Sequence, residues 1–264
     1  MKPFFISVPH AGEFLPTEAH WLKNLMEPVL MCDVDRYVNE IYGPAAKTMG
    51  VPSIIAEVHR YVVDLNRMPG DIDQDSVAGS ENPPGKFTNG YHWSKTTTGA
   101  LIIKKPITMG LHEELTEKYF LPFHNHIKKT FANFFKEGHK RVFHLDAHSM
   151  PSMGTAAHRD PGTKRPQIVV SDRDGNSCDT FFKDLVIKAY ESVGFEVAYN
   201  WPYKGGGITE TYGQPTKGQH TLQVEMNRSL YMDESSKQKI SDQFLEVSKK
   251  IVRVVGQIVS ELPE

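Results

Sequence analysis

The sequence is poor in the features that most directly indicate a compartment or a macromolecular partner. Its 264 residues include two cysteines, Cys32 and Cys178, far apart and in no CxxC pair. That excludes a disulfide scaffold and a thiolate metal cluster, and leaves either cysteine as a small buried residue. Neither sign of charge is in excess: 30 basic against 32 acidic residues give a formal net charge of -2. Nothing global therefore draws the chain to nucleic acid or to an anionic membrane, and a small molecule is the default partner. No apolar run approaches the ~20 residues of a spanning helix. The apolar-rich start, Phe4 to Val8, is also too short for a signal-peptide core, so the expected compartment is the cytoplasm. Repeats, heptad arrays and low-complexity tails are lacking too.

What is present is an apolar content of 39%, enough for a substantial core, and a length compatible with one α/β domain over residues 1–264. Short β-branched runs alternate with longer periodic stretches, as when helices cover both faces of a buried sheet. Strands are expected at Phe4–Val8, Val51–Val58, Tyr61–Leu65, Val142–Leu145, Ile168–Val170, Phe195–Tyr199 and Thr221–Glu225. Helices are expected at Thr17–Met31, Asp33–Met49, Leu111–Lys136, Ser177–Val193 and Asp233–Val259. Pro122 should kink or split the third of these, having no N–H and clashing with the preceding turn. The stretch from Met68 to Gly99 is punctuated by Pro69-Gly70, Asn82-Pro83-Pro84-Gly85 and Asn89-Gly90. So long a loop in a compact domain reads as a lid or substrate-side insertion, over residues 68–100. The run Lys204-Gly205-Gly206-Gly207-Ile208-Thr209 lacks the spacing of a phosphate cradle.

Polar residues cluster at the expected C-terminal ends of strands, where an open α/β sheet places its ligand crevice. The first strand runs into Pro9-His10-Ala11-Gly12-Glu13, and a later one ends in Asp146-Ala147-His148-Ser149. Two imidazoles so delivered suit zinc, with Asp35 or Glu13 as third ligand and Asp146 as an outer partner that orients an imidazole. A histidine at a strand end is also a common structural residue, and spacing does not sort ligand from bystander among the 12 histidines. Arg60-Tyr61-Val62-Val63-Asp64-Leu65-Asn66-Arg67 brackets an apolar core with two arginines, whose planar forks match carboxylates and so point to an acidic substrate. Structural salt bridges are the alternative. Glu225, in Gln223-Val224-Glu225-Met226-Asn227-Arg228, is placed to act as general base beside a metal-activated water, or merely to pair with Arg228.

Together these blocks resemble the N-formylglutamate amidohydrolases, also called N-formylglutamate deformylases, of histidine degradation. The resemblance rests on Pro9-His10-Ala11-Gly12 with Pro16, Asp33-Val34-Asp35, Arg60 to Arg67, Asp146 to Ser149, Lys204 to Thr209 with Tyr212-Gly213, and Gln223-Val224-Glu225 leading to Leu230-Tyr231-Met232-Asp233-Glu234. It implies a three-layer α/β/α fold with a mixed sheet, similar to zinc carboxypeptidases, and one Zn2+ ion. The substrate it implies is N-formyl-L-glutamate or another small N-acyl acidic amino acid. By the same resemblance His10, Asp35 and His148 would bind the metal, with Glu13 an alternative to Asp35, and Glu225 would be catalytic. Arg60, Asn66, Arg67 and Thr209 would bind substrate, Arg60 also stabilising the oxyanion. Gly207 stands where the family usually has an aromatic, which would widen the pocket, and Met226-Asn227 replaces apolar and small residues. The rival functions are a zinc carboxypeptidase or amidase acting on cell-wall peptides and a silent small-molecule binding module.

Overall fold

Residues 1–263, described by a computed structural model, are organised by the two-residue period of their strands. In chain order the chief elements are β1 (Phe4–Val8), α1 (Glu27–Leu30), α2 (Val38–Thr48), β2 (Ser53–Ile55), α3 (Met109–Leu115), α4 (Leu121–Lys136), β3 (Val142–Met150), β4 (Ile168–Ser171), α5 (Thr180–Ser192), β5 (Val197–Tyr199), α6 (Gly207–Tyr212), β6 (Gln219–Asn227) and α7 (Ser241–Glu261). Six strands form one sheet in the order β2-β1-β3-β6-β4-β5. Neighbours are parallel except β4, which runs antiparallel to β6, so the sheet is mixed. No helix among the described residues is long and apolar enough to cross a membrane.

Alternate residues of a strand point to opposite faces, and here the two faces differ in chemistry. On one, Phe4, Ile6, Val8, Phe143, Leu145, Ala147, Leu222, Val224 and Met226 pack against α2, α5 and α7 in one apolar cluster. The intervening residues, Ser7, His144, Asp146, His148, Thr221, Gln223 and Glu225, are also buried, but beneath α4 and the irregular chain that follows β2. A second cluster, which includes Phe5, Tyr61, Val62, Trp93, Ile127 and Phe131, surrounds them. Helices thus cover both faces, as the α/β expectation required, and the polar stripe lies on the α4 side of the sheet.

Several boundaries differ from expectation for identifiable reasons. Asp146 to Ser149 lie inside β3 and Glu225 inside β6, because the polar residues alternate with apolar ones that the other layer needs. The Thr17–Met31 stretch is a single turn at His20–Leu22 followed by α1; Pro28 sits in the first turn of α1, where proline is tolerated. The next helix begins at Val38 after Tyr37 takes a left-handed φ of 71°, leaving Asp33 and Asp35 outside it. The last begins at Ser241, after a short hairpin of Met232–Asp233 and Gln238–Lys239. Pro122 does not break its helix: a π turn over Thr116–Phe120 precedes α4, shifting the carbonyls that the ring would otherwise meet.

The expected strand Tyr61–Leu65 is instead a buried loop. Two of its carbonyls are satisfied by imidazoles and not by a ladder: His92 Nδ1 donates to Val62 O at 2.7 Å and His124 Nε2 to Leu65 O at 2.9 Å. His59 Nε2 donates likewise to Leu30 O at 3.0 Å. His144 lies flat on Phe5, with ring centroids 4.2 Å apart, and contacts Ser7 Oγ at 2.7 Å. Burial holds all four neutral by lowering their pKa, to about 4 for His59, His124 and His144 and about 3 for His92.

In the unfolded chain these imidazoles protonate near ~6.5. Their stabilising contribution is therefore complete above that pH and is lost as pH falls from there toward 4. Urea unfolding between pH 7 and 5 should show stability falling with acidification, each histidine contributing up to ~1.4 kcal/mol per pH unit. Glu225, whose pKa is pushed up to about 8, holds its proton in the folded state alone over this range and offsets one of the four, whereas the raised pKa of His148 matters only above pH ~6.5. A stability that is flat or rising toward pH 5 would contradict this account.

Candidate functional site

The polar stripe opens into a cavity of about 220 Å³ lined in part by His10, Asp35, Arg60, Asn66, Arg67, His148 and Glu225. That is below the ~300–1,000 Å³ of drug-sized ligand pockets. His10 arrives just past β1, Asp35 precedes α2, and His148 comes from β3. One ligand atom from each of the three falls within 4.8 Å of the others. The Nδ1 atoms of His10 and His148 lie 3.6 Å and 3.0 Å from Asp35 Oδ2. The Nε2 atoms face away from it, His10 to Asp64 Oδ1 at 2.7 Å and His148 to Asp146 Oδ2 at 2.8 Å. An imidazole held by a carboxylate on one nitrogen and turned inward on the other is the arrangement that supports a bound metal, and an N,N,O donor set suits zinc.

Electrostatics give the cluster a reason to hold a cation. Asp35, Asp64 and Asp146 are all buried. Burial opposes their ionisation, but His10, His148, Arg60 and Ser7 outweigh it and hold all three below the ordinary carboxylate range. His148 is raised well above its ordinary value, its desolvation outweighed by Asp146, Asp35 and Glu225. A divalent cation among these carboxylates would supply the charge that an imidazolium proton otherwise provides. Asp35 is itself held: its N–H donates to His10 O at 3.0 Å, and its Oδ1 accepts from Arg228 Nη2 at 3.1 Å. Glu13 is turned away and pairs with Arg36 Nε at 2.7 Å. The preceding Gly12 packs against the Glu57 carbonyl, where a Cβ would come within 2.4 Å.

Glu225 lies beside His148 in the parallel β3–β6 register. It accepts from Gln223 Nε2 at 2.8 Å, and its pKa is pushed up to about 8, chiefly by burial and then by Asp35, against His148, Arg228 and Arg60. Arg60 donates to Asp33 O at 2.6 Å and to Asp64 Oδ2 at 2.8 Å, and its guanidinium carbon lies 4.5 Å from the Trp93 ring centroid. Its buried Nε has no partner among the described residues. Arg67 is tied through Nε to Asn89 O and through Nη1 to Asn66 O.

The Asn66 side chain accepts from Ile208 N at 2.7 Å and donates to Gln223 Oε1 at 3.3 Å. It presses on Gly206, where a Cβ would come within 2.4 Å of Asn66 Nδ2. The glycine run thus makes room for Asn66. A Cβ on Gly207 would meet the Asn66 carbonyl at 3.0 Å and Gly207 does not line the cavity, so the missing aromatic does not widen it at this point. Thr209 is not among the lining residues either; its hydroxyl donates to Gly206 O at 2.8 Å. Within the Met68–Gly99 segment, Tyr91 to Ser94 are buried and Trp93 Nε1 donates to Asp64 Oδ2 at 2.9 Å, while Asn89, Trp93 and Thr97 line the cavity.

Asp33, His158, Tyr203 and Arg228 also line it, although sequence patterning did not single them out as site residues. Arg228 follows β6 directly and lay within the Gln223 to Arg228 block, but only the fold shows it reaching past Glu225 to Asp35. Nothing in the spacing signals His158 or Tyr203, because the turns that bring them in are irregular.

A family model described as N-formylglutamate amidohydrolase matches residues 2–232. The N-formylglutamate deformylase of Pseudomonas putida is 30% identical over 88% of this chain and 83% of its own. That of Pseudomonas aeruginosa is 28% identical over 95% and 90%. The crystal structure of the N-formylglutamate amidohydrolase from Ralstonia eutropha JMP134 superposes with a TM-score of 0.86 at 25% identity, covering 99% of this chain and 94% of that one.

The close approach at Gly206 carries a direct test. Gly206→Ala should cost about 1–3 kcal/mol in urea unfolding, since Asn66 cannot yield without breaking its own bonds. Gly110→Ala in α3, where a Cβ meets nothing within 4 Å, should be neutral or stabilise by up to ~1 kcal/mol. Equal effects of the two would remove the close-approach explanation.

Proposed function

This chain belongs to the N-formylglutamate amidohydrolase family, and from that premise we propose that it hydrolyses N-formyl-L-glutamate, or a closely related N-acyl acidic amino acid, to the free amino acid and the acyl carboxylate. The observation that carries the proposal is the placement of Glu225 beside His148, next to an inward-facing group of two Nδ1 atoms and one carboxylate oxygen. His10, Asp35 and His148 would hold one zinc ion. Such an ion, when bound, supplies Lewis-acid polarisation of the amide carbonyl and a more acidic water.

The protein's own groups do the rest. Glu225 takes a proton from the attacking water as the new C–O bond forms, then delivers it to the departing nitrogen as the C–N bond breaks. A cation nearby favours its ionised form, as His148 does in the present arrangement. Arg60, with its buried Nε unpartnered, would stabilise negative charge growing on the carbonyl oxygen. Asn66 and Arg67 would hold a substrate carboxylate, Arg67 through Nη2, for which no partner is present among the described residues. Asn89, Trp93 and Thr97 of the Met68–Gly99 segment would shield the bound molecule from water. The small cavity favours a compact substrate over a wall peptide, which needs a long open groove.

Glu225→Gln should lower formate release from N-formyl-L-glutamate at least ~100-fold while metal content, measured by elemental analysis, stays at one equivalent. Undiminished turnover in this variant would sink the mechanism. Chelation should abolish turnover and one equivalent of Zn2+ restore it; a chelated enzyme that keeps its activity would remove zinc from the account. Arg67→Met should raise KM for the same substrate about 10-fold or more, and an unchanged KM would exclude it from carboxylate binding.

A further inference from the structure

Two cavity-lining residues, Tyr203 and His158, have no part in the reaction just described, and in both the hydrogen-bond polarity is forced by a partner. Arg165 Nη1 lies 2.9 Å from Tyr203 Oη, and a guanidinium can only donate. The phenol oxygen is therefore the acceptor, and no bond among the described residues uses its proton. The backbone N–H of Thr155, which can only donate, lies 3.0 Å from His158 Nδ1, and Thr155 Oγ1 lies 2.7 Å from the same nitrogen. That nitrogen is likewise the acceptor, so the neutral ring carries its proton on Nε2, which no bond among the described residues engages. The two rings meet edge to face with centroids 6.3 Å apart.

One loop fixes both donors. Thr155, Asp160 and Arg165 all lie between β3 and β4, and Arg165 is clamped on Asp160 by two bonds of 2.8 Å, with both residues buried. Its guanidinium carbon lies 5.1 Å from the Tyr203 ring centroid. These features hold the phenol in place while leaving its O–H uncommitted.

The other donors of the cavity are largely engaged. Arg60 and Arg228 commit their terminal nitrogens to Asp33 O, Asp35, Asp64 and Cys32 O. Arg67 retains Nη2, and it stands beside Asn66, whose Nδ2 is 3.3 Å from His148 Nε2. A substrate α-carboxylate stays close to the scissile nitrogen and so belongs near Asn66 and Arg67. The side-chain carboxylate of an acidic amino acid reaches farther and needs donors of its own. We propose that Tyr203 Oη–H and His158 Nε2–H form a neutral two-donor subsite that receives this side-chain carboxylate, with Arg165 as the residue that positions Tyr203. The proposal rests on the reading of the substrate as an N-acyl acidic amino acid.

Steady-state kinetics on N-formyl-L-glutamate and on N-formyl-L-norvaline, which lacks the side-chain carboxylate, test it. Tyr203→Phe should raise KM for the diacid about 10-fold, leave kcat within about twofold, and leave KM for the norvaline compound unchanged. His158→Leu should act similarly, and His158→Gln, which keeps an N–H near the Nε2 position, should restore part of the loss. Arg165→Gln should reproduce the Tyr203→Phe change in KM and add little to it in the double variant. An unchanged KM, an equal loss on both substrates, or a fall in kcat at constant KM would each overturn the subsite. Absence of wild-type turnover on N-formyl-L-glutamate and on other N-acyl acidic amino acids would sink the functional reading separately. Calorimetric titration with L-glutamate and L-norvaline would then decide the subsite, which requires weaker L-glutamate binding in Tyr203→Phe and is overturned by equal binding.

Discussion

The site is organised around one line of alternating acid and imidazole: Asp64, His10, Asp35, His148, Asp146, with successive contacts of 2.7, 3.6, 3.0 and 2.8 Å. Three carboxylates taken out of water are costly unless each is paired and hydrogen-bonded. Much of the surrounding structure meets that demand. Arg60 holds Asp64, Arg228 and Ser149 hold the outer oxygen of Asp35, and Ser7 donates to Asp146. Removing one member would leave a neighbour charged and unpaired, so the line is a constraint on the fold as much as a site within it.

That constraint accounts for the two-sided character of the sheet. β1, β3 and β6 are buried on both faces, yet only the face toward α2, α5 and α7 is uniformly apolar. The opposite face carries Ser7, Asp146, His148, Gln223 and Glu225 on neighbouring strands, and the parallel register aligns Ser7 with Asp146, Asp146 with Gln223 and His148 with Glu225. Buried polar residues can occupy central strands here because they satisfy one another. The covering layer then has to be irregular, since Asp64, Asn66 and Arg60 must reach into the stripe from above. Some of its carbonyls, those of Val62 and Leu65 among them, find buried imidazoles in place of ladder partners, which gives several of the 12 histidines of the sequence a structural part.

Much of the architecture was legible in the residues. Short apolar, β-branched runs located β1, β3, β4 and β6, and their alternation with helical stretches indicated helices on both faces of the sheet. The pairing of His10 with His148, and of both with Asp35, was also legible, through motif order and family resemblance more than through spacing. Tyr61 to Leu65 misled, because a β-branched run buried on all sides looks the same whether its backbone is satisfied by a strand or by side chains. Glu13 and Asp35 were alternatives in the residues alone, and only the fold shows Glu13 paired with Arg36 and the Thr209 hydroxyl bonded to Gly206 O.

By itself the sequence determined the class of fold, the family, and which side chains are proposed to hold a cation and an acid, because these depend on composition, motif order and resemblance. The tertiary structure alone decided which nitrogen of each imidazole faces inward, which acid stands between them, and which donors remain uncommitted at the cavity wall. Those outcomes depend on where each buried polar atom finds its partner. For His10, His148, Arg60 and Tyr203 that partner lies on a different strand or loop, and no local pattern encodes it.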